Sequence, residues 1–334
     1  MTTLDVTLGR YVLFRKLAAG GMAEVFLGRL LGEANFEKQV VIKRLFEHLG
    51  KDAEMLRMFQ DEARLGALFD HPNIVQVLEL GRSAGHWFIA MEYVDGPDLQ
   101  SILRQVVKTG TDLPLEHVVR IVVQACEGLD YAHHKRDRGG RPLNLVHRDV
   151  TPTNLHVTYH GVVKILDFGI AFSRASIEGE RSLRGTMGYM APEAIRGQGV
   201  DRRADVFSLG VVLYEMCTRS RLFRGNALEV MRQVCEAPIP RPSLRAPHLP
   251  TSLERIILWA LERDPEKRPQ SAGELADAIE TDAVRLGLRA STAALGAYVQ
   301  GAFGVTPVID PADAARAHRD DLSRMLEVDL PDDF

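Results

Sequence analysis

The feature that most constrains this chain is a change of residue periodicity near Gly96. Before it, from Tyr11 to about Val94, apolar residues fall in short strand-like runs, YVLFRKL, EVFLGRL, FEKQVVIKRL, IVQVLEL and HWFIAMEYV, joined by turn-rich connections. One helical segment interrupts them over roughly 52–69, where Ala53, Leu56, Phe59, Ala63 and Ala67 recur at helical spacing until His71, Pro72 and Asn73 end it. After Gly96 the spacing becomes helical, with segments predicted over 115–134, 205–219, 227–235, 252–263 and 271–287. A β-rich portion followed by a helical one predicts an α+β fold of two lobes with a cleft between them.

The 334 residues, 46% of them hydrophobic, are enough to build such a core without a partner. A formal net charge of −4 supplies no basic field, which argues against a nucleic-acid partner. No run of 18 apolar residues occurs, and MTTLDVTLGRYVLF lacks the basic start of a secretory leader, so no membrane partner is expected and a cytoplasmic protein is. Cys126, Cys217 and Cys235 lie apart in apolar surroundings and read as three buried thiols, neither a disulfide framework nor a zinc site. HHKRDRGGRPL, 133–143, reads as a solvated basic turn. Beyond 290, ALGAYVQGAFG (294–304) is a candidate docked helix ahead of a solvated acidic end, LEVDLPDDF.

Several polar groups sit where chemistry could use them. LAAGGMAEVF, 17–26, is a turn between two strand runs, with small residues that let backbone N–H groups approach a phosphate, though alone it could be any tight hairpin. Lys43 ends an apolar strand and Glu62 lies on the helix before His71; singly they read as a snorkelling lysine and a solvated glutamate. In LVHRDVTPTNLHV, 145–157, Asp149 and Asn154 lie five positions apart on one turn, and Asp167 follows in KILDFGI. Two carboxylates and a carboxamide on turns after apolar strands form a hard oxygen site suited to Mg2+ that also holds substrate phosphates, with one carboxylate left to take a proton.

The order of these pieces, the Gly-containing turn, VVIK, the helix glutamate, HRDVTPTN, DFG, then GTMGYMAPE (185–193), DVFSLG (205–210) and RDPEKRP (263–269), resembles the protein kinase family. The likeness is to its serine/threonine branch, GGMAEVF resembling bacterial members. It implies a kinase domain over 10–285, with an N-lobe 10–95 and a C-lobe 96–285, followed by a tail 286–334. It also implies ATP and Mg2+ as cofactors and a protein as substrate, and admits a homodimer during activation. By the same resemblance Leu17, Ala18, Ala19, Gly20, Gly21, Met22 and Ala23 close over ATP, Lys43 pairs its phosphates and Glu62 holds Lys43. Val25, Val41 and Leu155 would sandwich adenine, Met91 would precede the hinge Glu92, Tyr93 and Val94, and Asp98 would meet the ribose. Asp149 would be the base, Asn154 and Asp167 the metal ligands, and Glu193 would pair with Arg268. Arg148 would meet a phosphate on the segment between DFG and APE, expected at Ser182 by autophosphorylation, with Ser173 and Ser176 also offered there.

The chain departs from the family pattern at several positions. Ala18 and Ala23 replace two glycines of the turn, and an alanine forced into a left-handed conformation would cost about 1 kcal/mol. Val41 replaces a smaller alanine against adenine, and Gly66 stands where an apolar side chain would lock the helix, predicting a mobile helix. Thr151 replaces a lysine whose ammonium meets the γ-phosphate, a loss of about 3 kcal/mol, or roughly a hundredfold in rate, which the Thr151 or Thr186 hydroxyl would offset in part. GTMGYMAPE favours serine and threonine acceptors over tyrosine. Lys43, Glu62, Asp149, Asn154 and Asp167 argue against a nucleotide-holding pseudokinase, and the intact DFG-to-APE segment argues against a small-molecule phosphotransferase.

Overall fold

The computed structural model describes residues 6–137, 139–168 and 187–305. Six strands form one antiparallel sheet: β1 (Val6–Leu8), β2 (Tyr11–Ala19), β3 (Ala23–Leu31), β4 (Glu37–Leu45), β5 (Val77–Ser83) and β6 (His86–Glu92), in the order β1-β2-β3-β4-β6-β5. Alternation turns Tyr11, Leu13, Phe26, Val40, Ile42, Phe88 and Ala90 into one buried layer. On the sheet's other side Ala23, Leu45 and Ile89 close against Phe59 and Ala63 of α1 (Ala53–Gly66). Asp52 starts α1 by accepting from Glu54 N at 2.8 Å and Met55 N at 3.1 Å, two of the donors a helix start leaves free.

The second lobe is helical, as predicted, around α3 (Leu115–His133) and α5 (Arg203–Thr218), which is buried along almost all its length. The other helices among the described residues of this lobe are α2 (Leu99–Thr109), α4 (Pro192–Ile195), α6 (Ala227–Cys235), α7 (Thr251–Ala260), α8 (Ala272–Arg285) and α9 (Thr292–Phe303). A two-stranded hairpin, β7 (Leu155–Val157) and β8 (Val163–Ile165), lies beneath the cleft. The two-lobed α+β expectation therefore holds.

Elements outside the sequence expectation include β1, α2 and the short α4. The α2 signal was present: Asp98 caps it through Ser101 N at 2.7 Å, Leu99, Ile102, Leu103 and Val106 are buried at helical spacing, and Gly110 ends it at φ 67°. Two expectations need correction. Ala18 and Ala23 are not left-handed: both lie in strands, paired with Val25 and Leu45, and neither has positive φ. Cys126 and Cys217 are buried, but Cys235 is only half-buried. At Gly66 a Cβ would come within 2.4 Å of Val77 Cγ2 of β5. Thr186, Ser182, Ser173, Ser176 and the acidic end fall outside the described residues.

Candidate active site

The strand register that buries Ile42 on one face presents Lys43 on the other, toward α1. Its ammonium bonds Glu62 Oε1 at 2.5 Å and lies 3.6 Å from Asp167 Oδ2. Burial works against the charged amine, but the two carboxylates prevail and hold Lys43 above the usual lysine range. Lys43, Glu62 and Asp167, expected to act together from positions far apart in sequence, are thus joined.

Asp149, expected to be the base, stands on the loop between α3 and β7. Asn154 Nδ2 donates to its Oδ2 at 2.7 Å and to its backbone carbonyl at 2.8 Å, which pins the five-residue turn. Asp149 Oδ1 is buried with no protein partner, an acceptor left over inside the cleft. Burial raises the carboxyl's pKa, and nearby His147 and the Asn154 bond offset part of that rise. Since Asn154 spends its amide nitrogen on Asp149, its carbonyl oxygen and the Asp167 carboxylate remain as hard oxygen donors. That set fits Mg2+, which takes one or two protein oxygens and completes its octahedron with phosphates and water.

The loop is held from below by Asp205, at the start of α5. This fully buried carboxylate accepts from His147 N at 2.7 Å, Arg148 N at 2.8 Å and His133 Nε2 at 2.7 Å. Burial opposes its charge, yet the His133 bond and the backbone donors keep it below the usual carboxylate range. Arg148 has φ 66° and Asp167 φ 47°, left-handed values that cost a non-glycine residue about 1–3 kcal/mol and persist where surroundings impose them. His147 Nε2 meets Leu166 O at 3.0 Å and its ring lies 4.6 Å from Phe168, which packs tilted against Phe69 at 4.4 Å. The DFG segment is thereby tied to the loop that carries Asp149. In the sequence Asp205 stands only as the first residue of DVFSLG, with nothing beside it to mark this role.

Leu17, Ala18 and Ala19 end β2, Gly20, Gly21 and Met22 make the turn, and Ala23 begins β3; Gly20 N closes the hairpin on Ala23 O at 2.8 Å. Ala23 is buried against Leu45 and Phe59, so it serves the core beneath the turn. Val25 stands opposite Lys43, and Val41 opposite Met91 and Leu27, while Leu155 is fully buried on β7 below. Behind Met91 lies a mostly apolar cavity of about 30 Å³ bordered by Glu62, Gly66, Phe69, Val77 and Phe168. Glu92 joins the lobes, bonding Lys164 of β8 at 2.6 Å, an ion pair the sequence reading did not foresee. Val94 O accepts from Gly96 N at 3.1 Å. Asp98, expected at the ribose, has both oxygens on Ser101, at 2.7 and 3.0 Å.

Thr151 is buried, and its hydroxyl shares a 2.8 Å bond with that of Thr153. The Glu193–Arg268 pair is present as expected, bidentate at 2.7 and 2.8 Å, with the guanidinium fully buried and 5.0 Å above Phe207. It fixes the residues after 187 to the last turn before α8.

Residues 11–279 match the protein kinase domain family. The tyrosine-protein kinase MasK of Myxococcus xanthus is 46% identical over 316 residues, covering 91% of this chain and 49% of that protein. The serine/threonine-protein kinase PknB of Mycobacterium leprae is 38% identical over 284 residues, 82% of this chain and 43% of that one. The chain spans about half the length of the curated relatives it matches. Among solved structures, the PknI kinase domain of Mycobacterium tuberculosis aligns over 85% of this chain and all of that one, with 30% identity and a TM-score of 0.63.

Proposed function

We infer that this chain, which belongs to the protein kinase family, transfers the γ-phosphate of ATP to serine and threonine hydroxyls of proteins. The observation that carries the reading is Asp149: a half-buried carboxylate with one oxygen held by Asn154 and the other buried without a protein partner, beside the Lys43–Glu62–Asp167 cluster. Mg2+, held by Asn154 and Asp167 together with the phosphates, would neutralise charge on the transferring group. The rest falls to side chains of this chain. Lys43, kept cationic and aimed by Glu62, orients the phosphates. Asp149 accepts the proton of the attacking hydroxyl, and burial raises its basicity toward that task. Val25, Val41 and Leu155 would enclose adenine, the backbone of Glu92 and Val94 would bond it, and the turn 17–23 would cover the phosphates.

Arg148 is exposed and its guanidinium has no partner among the described residues, which supports a phosphate on the segment after DFG, with Ser182 the proposed site of autophosphorylation. Tyrosine is a second acceptor reading, favoured by the 46% identity to a protein named a tyrosine kinase and by Thr151 where the serine/threonine branch has lysine. The test is label from γ-labelled ATP with Mg2+ on the protein and on a generic basic protein, followed by phosphoamino-acid analysis. Phosphoserine or phosphothreonine, absent from Asp149→Ala, supports the reading. Phosphotyrosine alone selects the second, and no transfer above Asp149→Ala with nucleotide still bound refutes both. A Ser182→Ala protein of undiminished activity would remove Ser182 from the scheme.

A further inference from the structure

Helix α9 begins thirteen residues after the family match ends at 279, yet it is not an appendage. Leu295 and Val299 are fully buried in the C-lobe core. Gly296 meets the turn between β7 and β8 at backbone distance: a Cβ on it would lie 2.8 Å from Tyr159 O, and one on Gly161 would lie 1.9 Å from Thr292 O. Across this contact Gln300 Nε2 donates to Tyr159 O at 2.6 Å. From the other sides the same turn is tied to the interlobe linker by Tyr159 N to Asp95 O at 2.9 Å, and to α3 by Gln124 Nε2 to Gly161 O at 3.0 Å. The hairpin's open end carries Asn154 immediately before β7 and Asp167 two residues after β8, and Leu166 N to Asn154 O at 2.9 Å closes it.

We propose that α9 is a positioning brace for the metal site: by gripping the closed end of the β7–β8 hairpin, Gln300 fixes the spacing of Asn154 and Asp167 at its open end. The hairpin is only three residue pairs long, so a rotation at Tyr159 passes along five residues, about 17 Å of extended strand, to Asn154. Gln300 touches neither nucleotide nor metal. It acts through the hairpin, from the segment expected from sequence to be a docked helix ahead of a solvated acidic end. The inference rests on the kinase reading only for the identity of the metal site, not for the brace.

The test compares Gln300→Glu, which keeps shape but loses the donor, Gln300→Lys, which keeps a donor, and Arg120→Ala, which removes the 3.0 Å bond from α3 to Thr292 without touching the turn. Two readouts are needed: amide hydrogen exchange over residues 154–166 and the Mg2+ concentration for half-maximal phosphoryl transfer. Gln300→Glu is expected to speed exchange across 154–166 and raise the Mg2+ requirement about threefold to tenfold, the factor one lost hydrogen bond corresponds to. Gln300→Lys should restore both, and Arg120→Ala should move neither. Unchanged exchange and Mg2+ requirement in Gln300→Glu overturn the brace, as does an equal effect of Arg120→Ala, which would mean general loosening of the lobe. A wild-type protein that transfers no phosphate refutes the kinase reading instead, and the exchange measurement still decides the brace.

Discussion

Replacing Asp205 by asparagine tests the support of the catalytic loop. The carboxylate accepts three hydrogen bonds, from His147 N and His133 Nε2 on one oxygen and Arg148 N on the other. An asparagine has one acceptor oxygen, so in either amide orientation an NH2 group faces a backbone N–H, of His147 or of Arg148. Bonds to a buried charge contribute about 1.5–3 kcal/mol each and a stranded donor costs about 1–3 kcal/mol. Relaxation of Arg148 from its left-handed φ returns about 1–3 kcal/mol, which at the middle of these ranges leaves a net loss of about 2 kcal/mol. The measurement is the urea midpoint followed by tryptophan fluorescence, alongside phosphoryl transfer and nucleotide binding. Because the folded pKa of Asp205 is depressed, its stabilisation is fully present above the unfolded value of about 4 and disappears as pH falls through the lower folded one. The mutant's deficit should therefore be flat from about pH 6 to 8. Transfer should fall far more than nucleotide binding, since Lys43 and the N-lobe are untouched. A deficit under about 1 kcal/mol with full transfer would refute the idea that Asp205 holds the loop.

Thr151→Lys should raise the transfer rate by up to about a hundredfold if a missing donor to the γ-phosphate limits it, measured as kcat with saturating Mg2+ and ATP; an unchanged rate shows that it does not. Gly66→Val should destabilise the protein by about 1–3 kcal/mol in urea, because the added Cβ meets Val77; a gain in stability would show instead that α1 lacks a side chain there. The acid limb of kcat/KM should lie above the ordinary aspartate value of about 4, since the proposed base Asp149 must be ionised to act and burial raises its pKa, so activity is lost as pH falls through that raised value. Full activity persisting down to about pH 4 would exclude Asp149 as that base.

What the sequence made legible follows the physics of each signal. Strands β2 to β4 and helices α3 and α6 to α8 announce themselves because one face is buried, so period and burial coincide over nine or more residues. Strand β1 has three residues, too few for a period, and owes its existence to pairing with β2. Helix α2 carries cap, period and C-terminal glycine in its sequence, but the resemblance assigns Asp98 to the ribose, and that role masks the cap. At 18 and 23 the family's glycine pattern suggests left-handed backbone. The hairpin register puts both residues in extended strands, where a Cβ costs nothing.

The interior of the site was less legible than its rim for a related reason. Asp149 and Asp167 stand in motifs of their own, and Lys43 and Glu62 become legible from the order of those motifs, since singly they read as a snorkelling lysine and a solvated glutamate. Asp205, Gln300 and the Glu92–Lys164 pair act only through partners distant in sequence. Asp205 reads as an ordinary first-turn acid of α5, favoured there by the helix dipole alone. Its work is visible only when His147 and Arg148 bring their N–H groups onto it from 58 and 57 residues away. Gln300 is further removed still, an ordinary helix residue until the closeness of Gly161 and Gly296 sets it against Tyr159 O, 141 residues earlier. The reacting groups are thus specified locally, while the groups that fix their angles are specified by topology, and α9 belongs to the second set.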